Sequence, residues 1–139
     1  MNTSRTFSMI KPDAIAHKYM GEILTDIIKA GFTIRAVKMT HLSTREAKRF
    51  YAEHEGKEFF DRLTRFISSG PLVALILEKE NAVESFRTLI GKTDPLEAAE
   101  GTIRKKFAAD KTHNAVHGAD SDTSAKREWS FFFAEREIE

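Results

Sequence analysis

The chain contains no cysteine. That excludes disulfides, thiol nucleophiles and cysteine-held metals, and it fits a reducing compartment. Proline is scarce at three residues, and the seven glycines form neither G-x-x-x-x-G-K-[ST] nor G-x-G-x-x-G. Any phosphate site must therefore be built from side chains rather than from a glycine-rich loop. An excess of one charge is also missing. Twenty-two basic residues face twenty-one acidic ones, a net charge of +1, so no global field demands nucleic acid or an anionic membrane. No apolar run approaches the roughly 18 residues of a membrane span. The opening MNTSRTFSMIKPD lacks the apolar core and small-residue cleavage site of a signal peptide. What is present is 139 residues with a 41% hydrophobic fraction, enough to bury a core. The expectation is one domain over residues 1–139, soluble and cytoplasmic.

Local patterns divide the chain. RTFSMI reads as a strand ending at Lys11-Pro12, where the proline keeps Lys11 extended. GEILTDIIKAG reads as a helix with Ile23, Leu24, Ile27 and Ile28 on one face and Gly31 closing it. FTIRAVKMTHL is a strand whose alternation slips near Ala36-Val37, which predicts a bulge. Ser43 and Glu46 stand at capping-box spacing before a helix. FFDRLTRFISS is helical, and PLVALILEK has the unbroken apolar character of a strand buried on both faces. Asn81 is placed to cap AVESFRTLIG. A long loop follows, with a helical turn near Ile103 to Phe107, then the short strand NAVHGA and the helix DTSAKREWSFFF. The order implies an α+β fold of ferredoxin-like βαββαβ type, a four-stranded antiparallel sheet with helices on one side.

Residues with chemical potential fall at element ends. Lys11 lies at a strand tip, Arg87 on a helix, Thr93 and Arg104 in or beside the long loop, and Asn114 three residues before His117. If they converged, two guanidinium forks, an ammonium, a hydroxyl and an amide around an imidazole would cradle a polyphosphate. The small residues around His117 have two readings: the ring is packed inside, or a large charged group must reach it. His17, His41, His54 and His113 read as surface or core residues, Glu128 as solvent-facing, and Tyr51 and Phe59 as core.

NAVHGADS is similar to the active-site signature of the nucleoside diphosphate kinases. RTFSMIKPDA, FISSGPLVALILE and GTIRKKF resemble that family in the expected order, from Arg5 to the end of the chain. The resemblance implies a phosphotransferase that moves the terminal phosphate of a nucleoside triphosphate onto a diphosphate through a phosphohistidine. His117 would be the nucleophile, and neutral imidazole carries the lone pair the step needs. Small neighbours would keep the line of attack open. Glu128 would hold the other ring nitrogen. Lys11, Tyr51, Arg87, Thr93, Arg104 and Asn114 match positions that hold phosphates and sugar hydroxyls, with Lys11 following the transferring group. Phe59 and Leu63 match base-contacting positions, and stacking without edge contacts implies a broad nucleotide range. Mg2+ would ride mainly on the phosphates. The implied partners are ATP, ADP, GTP, GDP and other nucleotides, with a homotetramer or homohexamer and no nucleic acid or membrane.

The chain departs from the family pattern at Ala119, where serine is common, at Glu100 before Gly101, and at Lys105-Lys106. Lys111 stands where a small apolar residue often lines the base site. Two other classes compete. A regulatory nucleotide-binding module would not need both His117 and Glu128. A single-strand nucleic-acid binder would need exposed strand aromatics and a basic surface, which RTFSMI and PLVALILEK do not supply.

Overall fold

A computed structural model describes residues 3–139. Four strands, β1 (Thr3–Ile10), β2 (Thr33–Thr40), β3 (Leu72–Glu80) and β4 (Val116–Gly118), form one sheet in the order β2-β3-β1-β4. Every neighbouring pair is antiparallel. The helices are α1 (Pro12–Ala16), α2 (Met20–Lys29), α3 (Thr44–Phe50), α4 (Phe60–Ile67), α5 (Ala82–Ile90), α6 (Ile103–Phe107) and α7 (Asp122–Phe132). Among the described residues no helix is long and apolar enough to cross a membrane.

The expected βαββαβ order is present, but the helices do not lie on one side. Phe7, Met9, Ala74 and Ile76 point into a core closed by Phe50 of α3, Ile67 of α4 and Phe132 of α7. Their strand neighbours Ile10, Val73, Leu75 and Leu77 point the other way. They meet Ala14 of α1, Ile23 and Ile27 of α2, and Phe86 and Ile90 of α5. Side chains alternate across a strand, so the unbroken apolar run of β3 requires cover on both faces.

Other local expectations divide in the same physical way. The Ser43–Glu46 capping box forms, with Ser43 Oγ accepting from the Glu46 amide at 3.0 Å and Glu46 Oε1 from the Ser43 amide at 2.9 Å. Lys11 is extended, φ −77° and ψ 163°, with Pro12 opening the unforeseen helix α1. The β2 bulge lies between Ile34 and Ala36, against β3. Ile28 is 56% exposed, outside the stripe that buries Ile23 and Ile27. Asn81 does not cap α5 with its side chain. It takes a left-handed conformation, φ 52°, and bonds Glu84, while Ser4 Oγ accepts the Ala82 amide.

Candidate active site

β4 is only three residues long, and its pairing decides where its side chains go. His117 stands opposite Met9, so its ring enters the layer of Phe7 and Phe50, with centroids 5.9 Å from each. Gly118 faces the opposite layer. A Cβ there would lie 2.9 Å from Ile90 Cδ1 and 3.2 Å from Phe86 Cδ2. Val116 and Ala119 are buried as well. The small neighbours therefore let β4 press against α5 and the core, which corrects the expectation that they clear a line of attack. Gly118→Ala should destabilise the fold by about 1–3 kcal/mol through overpacking. Thermal denaturation would then show a Tm lower by on the order of 5–10 °C.

The nucleophile candidate is oriented by a carboxylate. Glu128 of α7 is buried, contrary to its solvent-facing reading, and its Oε1 lies 2.7 Å from His117 Nε2. A carboxylate acceptor keeps the proton on Nε2, which leaves the lone pair on Nδ1. The His117 side chain remains 18% exposed. It lines two recesses, a small one of about 140 Å³ shared with Glu128 and a larger one of about 390 Å³.

The larger recess gathers Lys11, Tyr51, Phe59, Leu63, Thr93 and Asn114 around His117. Lys11 is buried, and its Nζ donates to Asn114 Oδ1 at 2.9 Å. Burial, and secondarily the Arg104 charge, lower its pKa to about 8, against the opposing pull of Asp13. Its amide donates to Ala115 O at 2.8 Å. Ala115 itself adopts φ +71°, a left-handed conformation costing a non-glycine residue on the order of 1–2 kcal/mol. Asp13 Oδ2 holds it there by accepting its amide at 3.1 Å. Burial and the nearby Glu128 charge push the Tyr51 hydroxyl upward, so it stays protonated and can donate.

The two arginines stand apart from this group. Arg87 is exposed and shares the small recess with His117. It also lines a third recess of about 510 Å³ together with Arg104, reached from the His117 recess past Thr93. Arg104 is buried and donates to Gly91 O at 3.0 Å and Val116 O at 2.9 Å. It thus braces the loop and β4, while its Nε has no partner among the described residues. Burial first, and Arg87 second, bring its pKa down to about 10. Two facing guanidiniums favour an anion between them.

Lys111 lines the His117 recess, as its place in the family pattern implies, and three residues outside the expected set join it: His54, Arg62 and Thr112. His54 lies three residues after Tyr51 on a 3-10 turn, Ala52–His54. That spacing puts two side chains on one side of a turn, a signal visible only when His54 is read together with Tyr51.

The family model described as nucleoside diphosphate kinase matches residues 4–138. The chain belongs to the nucleoside diphosphate kinase family. It is 54% identical over 138 residues to the nucleoside diphosphate kinase of Pasteurella multocida and 53% over 137 to that of Flavobacterium psychrophilum, with 99% of each chain covered. Among solved structures, it is similar to the Aquifex aeolicus nucleoside diphosphate kinase, with TM-score 0.97, 42% identity and 99% and 100% coverage. The Halobacterium salinarum enzyme, solved with CDP, superposes with TM-score 0.95 at 38% identity, over 99% of this chain and 92% of that one. Lys106, one of the departures noted above, pairs with Asp26 of α2 as a surface ion pair.

Proposed function

We propose that residues 1–139 act as one nucleoside diphosphate kinase domain that carries the phosphoryl group on His117 Nδ1. The carrying observation is the 2.7 Å bond from His117 Nε2 to buried Glu128, which leaves the free ring lone pair on Nδ1 of an imidazole that lines the recess. In the first half-reaction the Nδ1 lone pair forms a P–N bond as the bond from the γ-phosphorus to the bridging oxygen breaks. The diphosphate leaves with that electron pair. In the second half a different diphosphate's terminal oxygen takes the phosphoryl group and the P–N bond breaks. Protein catalysis of such a transfer is chiefly positioning and charge stabilisation. Lys11 and Asn114 serve the phosphate and sugar near the nucleophile, Tyr51 donates its hydroxyl, and Arg87, Thr93 and Arg104 meet the remaining phosphates. Phe59 and Leu63 offer the base an apolar surface.

Among the described residues no three acidic or histidine side chains cluster, so Mg2+ would be held by phosphate oxygens, where it neutralises charge. Exposed Val37 and Met39, two residues apart on the edge strand β2, support a homo-oligomer, tetramer or hexamer, which light scattering of the intact protein would read. The lack of cysteine supports a cytoplasmic setting.

The test is incubation with γ-labelled ATP and Mg2+ without an acceptor. Alkali-stable, acid-labile label should remain on the chain, leave when any nucleoside diphosphate is added, and fail to form when EDTA removes the metal. Absence of label with Mg2+ present would defeat the reading.

A further inference from the structure

Asp13 sits two residues past Lys11, in the first turn of α1. Its two carboxylate oxygens have different surroundings. Oδ2 accepts the Ala115 amide at 3.1 Å and so holds that residue in its left-handed conformation. Oδ1 is sealed from water and has no hydrogen-bond partner among the described residues. A buried carboxylate oxygen without a donor is costly unless a neighbouring cation balances its charge. The cation at hand is Lys11, whose ammonium donates to Asn114 Oδ1, so its attraction to Asp13 acts through space.

The other groups around the amine do not supply that negative charge. Tyr51, His54, Arg62, Lys111 and His117 line the same recess, and none is a carboxylate. Glu128 is bonded to His117. Burial and the Arg104 charge both work against the Lys11 proton, and Asp13 is the group that opposes them.

We infer that Asp13 is a positioning residue with two separable tasks: one oxygen latches the chain just before His117, and the charge serves as counter-ion to the Lys11 ammonium. This rests on the kinase reading and adds to it a residue that acts through Lys11 and Ala115. The latch and the charge converge on one short stretch, because the Lys11 amide also donates to Ala115 O at 2.8 Å. A carboxylate can perform both tasks at once, whereas an amide of the same shape can perform only the first.

Asp13→Asn keeps an oxygen that can accept the Ala115 amide and removes the charge. Without the carboxylate the amine gives up its proton more readily, so the alkaline fall of kcat/KM should begin about half to one pH unit lower than in the native chain. Asp13→Ala removes the latch as well. It should show the same earlier fall and, at about pH 6.5, a kcat/KM about 3- to 10-fold below that of Asp13→Asn. In a Lys11→Met background, Asp13→Asn should leave the pH profile unmoved, since the amine it serves is gone. An alkaline fall at the same pH in native chain and Asp13→Asn would overturn the charge task, as would an equal shift in the Lys11→Met background. Equal activity of Asp13→Ala and Asp13→Asn at about pH 6.5 would overturn the latch. Trace acetylation of the Lys11 amine across pH, read by mass spectrometry without nucleotide, separates this from the transfer reading. An amine that titrates earlier in Asp13→Asn, beside a native chain without turnover, would keep the counter-ion and sink transfer. Normal turnover beside an amine titration unmoved by Asp13→Asn would do the reverse.

Discussion

Replacing His117 with alanine is expected to reduce phosphoryl transfer by on the order of 10⁴-fold or more, with no label retained on the chain. The same change leaves Glu128, which is 4% exposed, without its donor. A buried acceptor stripped of its partner costs about 1–3 kcal/mol, so His117→Ala should also melt earlier. His117→Gln separates the two effects. Its amide N–H can donate to Glu128 from near the position of Nε2, so stability should largely return. It has no nucleophilic nitrogen, so transfer should stay lost. Turnover and thermal denaturation of the two variants, measured side by side, check both halves. Transfer retained by either variant would mean that another group carries the phosphate.

Lys11→Met should lower kcat/KM by on the order of 10²–10³, the cost of removing one well-placed donor from a developing charge. Lys11→Arg should not restore it, because a planar guanidinium fork does not reproduce the compact ammonium that donates to Asn114 from this buried position. The pH dependence follows from the lowered pKa of about 8. Only the protonated amine supplies charge, so kcat/KM of the native chain should fall above about pH 8. Stability moves the opposite way. Between about 8 and the ordinary 10.5, the folded amine is neutral while the unfolded one still holds its proton. Unfolding then takes up a proton, and stability rises with pH across that window, by on the order of 3 kcal/mol. Denaturant titrations of native chain and Lys11→Met at pH 7 and pH 10 test this, since the methionine variant should show no such gain from this position. A native pH profile flat to pH 10 would remove Lys11 from the charged role.

What the sequence disclosed depended on the range of the interaction. The Ser43–Glu46 box and the extended Lys11 before Pro12 are settled within three residues, and both were readable. The apolar run of β3 implies cover on both sheet faces, a local signal that outweighs the one-sided helix arrangement suggested by element order. Helical spacing placed Ile28 with Ile23 and Ile27, but periodicity cannot say where the buried stripe ends, and Ile28 lies beyond it. Asn81 had the chemistry of a cap, but the Ser4 hydroxyl, 78 residues away, took the Ala82 amide. Among the site residues, Lys11, Tyr51, Asn114 and His117 are legible only through family likeness, since nothing local brings β1, α3 and β4 together. Glu128 would read as a surface residue on its own helix, and only the pairing of β4 with β1 carries His117 to within bonding distance of it. Gly118 seemed to serve access to the histidine, but strand alternation turns it toward α5.

Lys11 touches the stretch before β4 twice, by its ammonium to Asn114 and by its amide to Ala115. Asp13, two residues further on, ties down the same alanine. This double tether holds the Lys11 ammonium and the strand that carries His117 together. A group-carrying cycle must meet two different visitors in alternation, one that gives and one that takes. A rigid clamp of this kind greets both with the same geometry, so the second visit requires no rearrangement after the first.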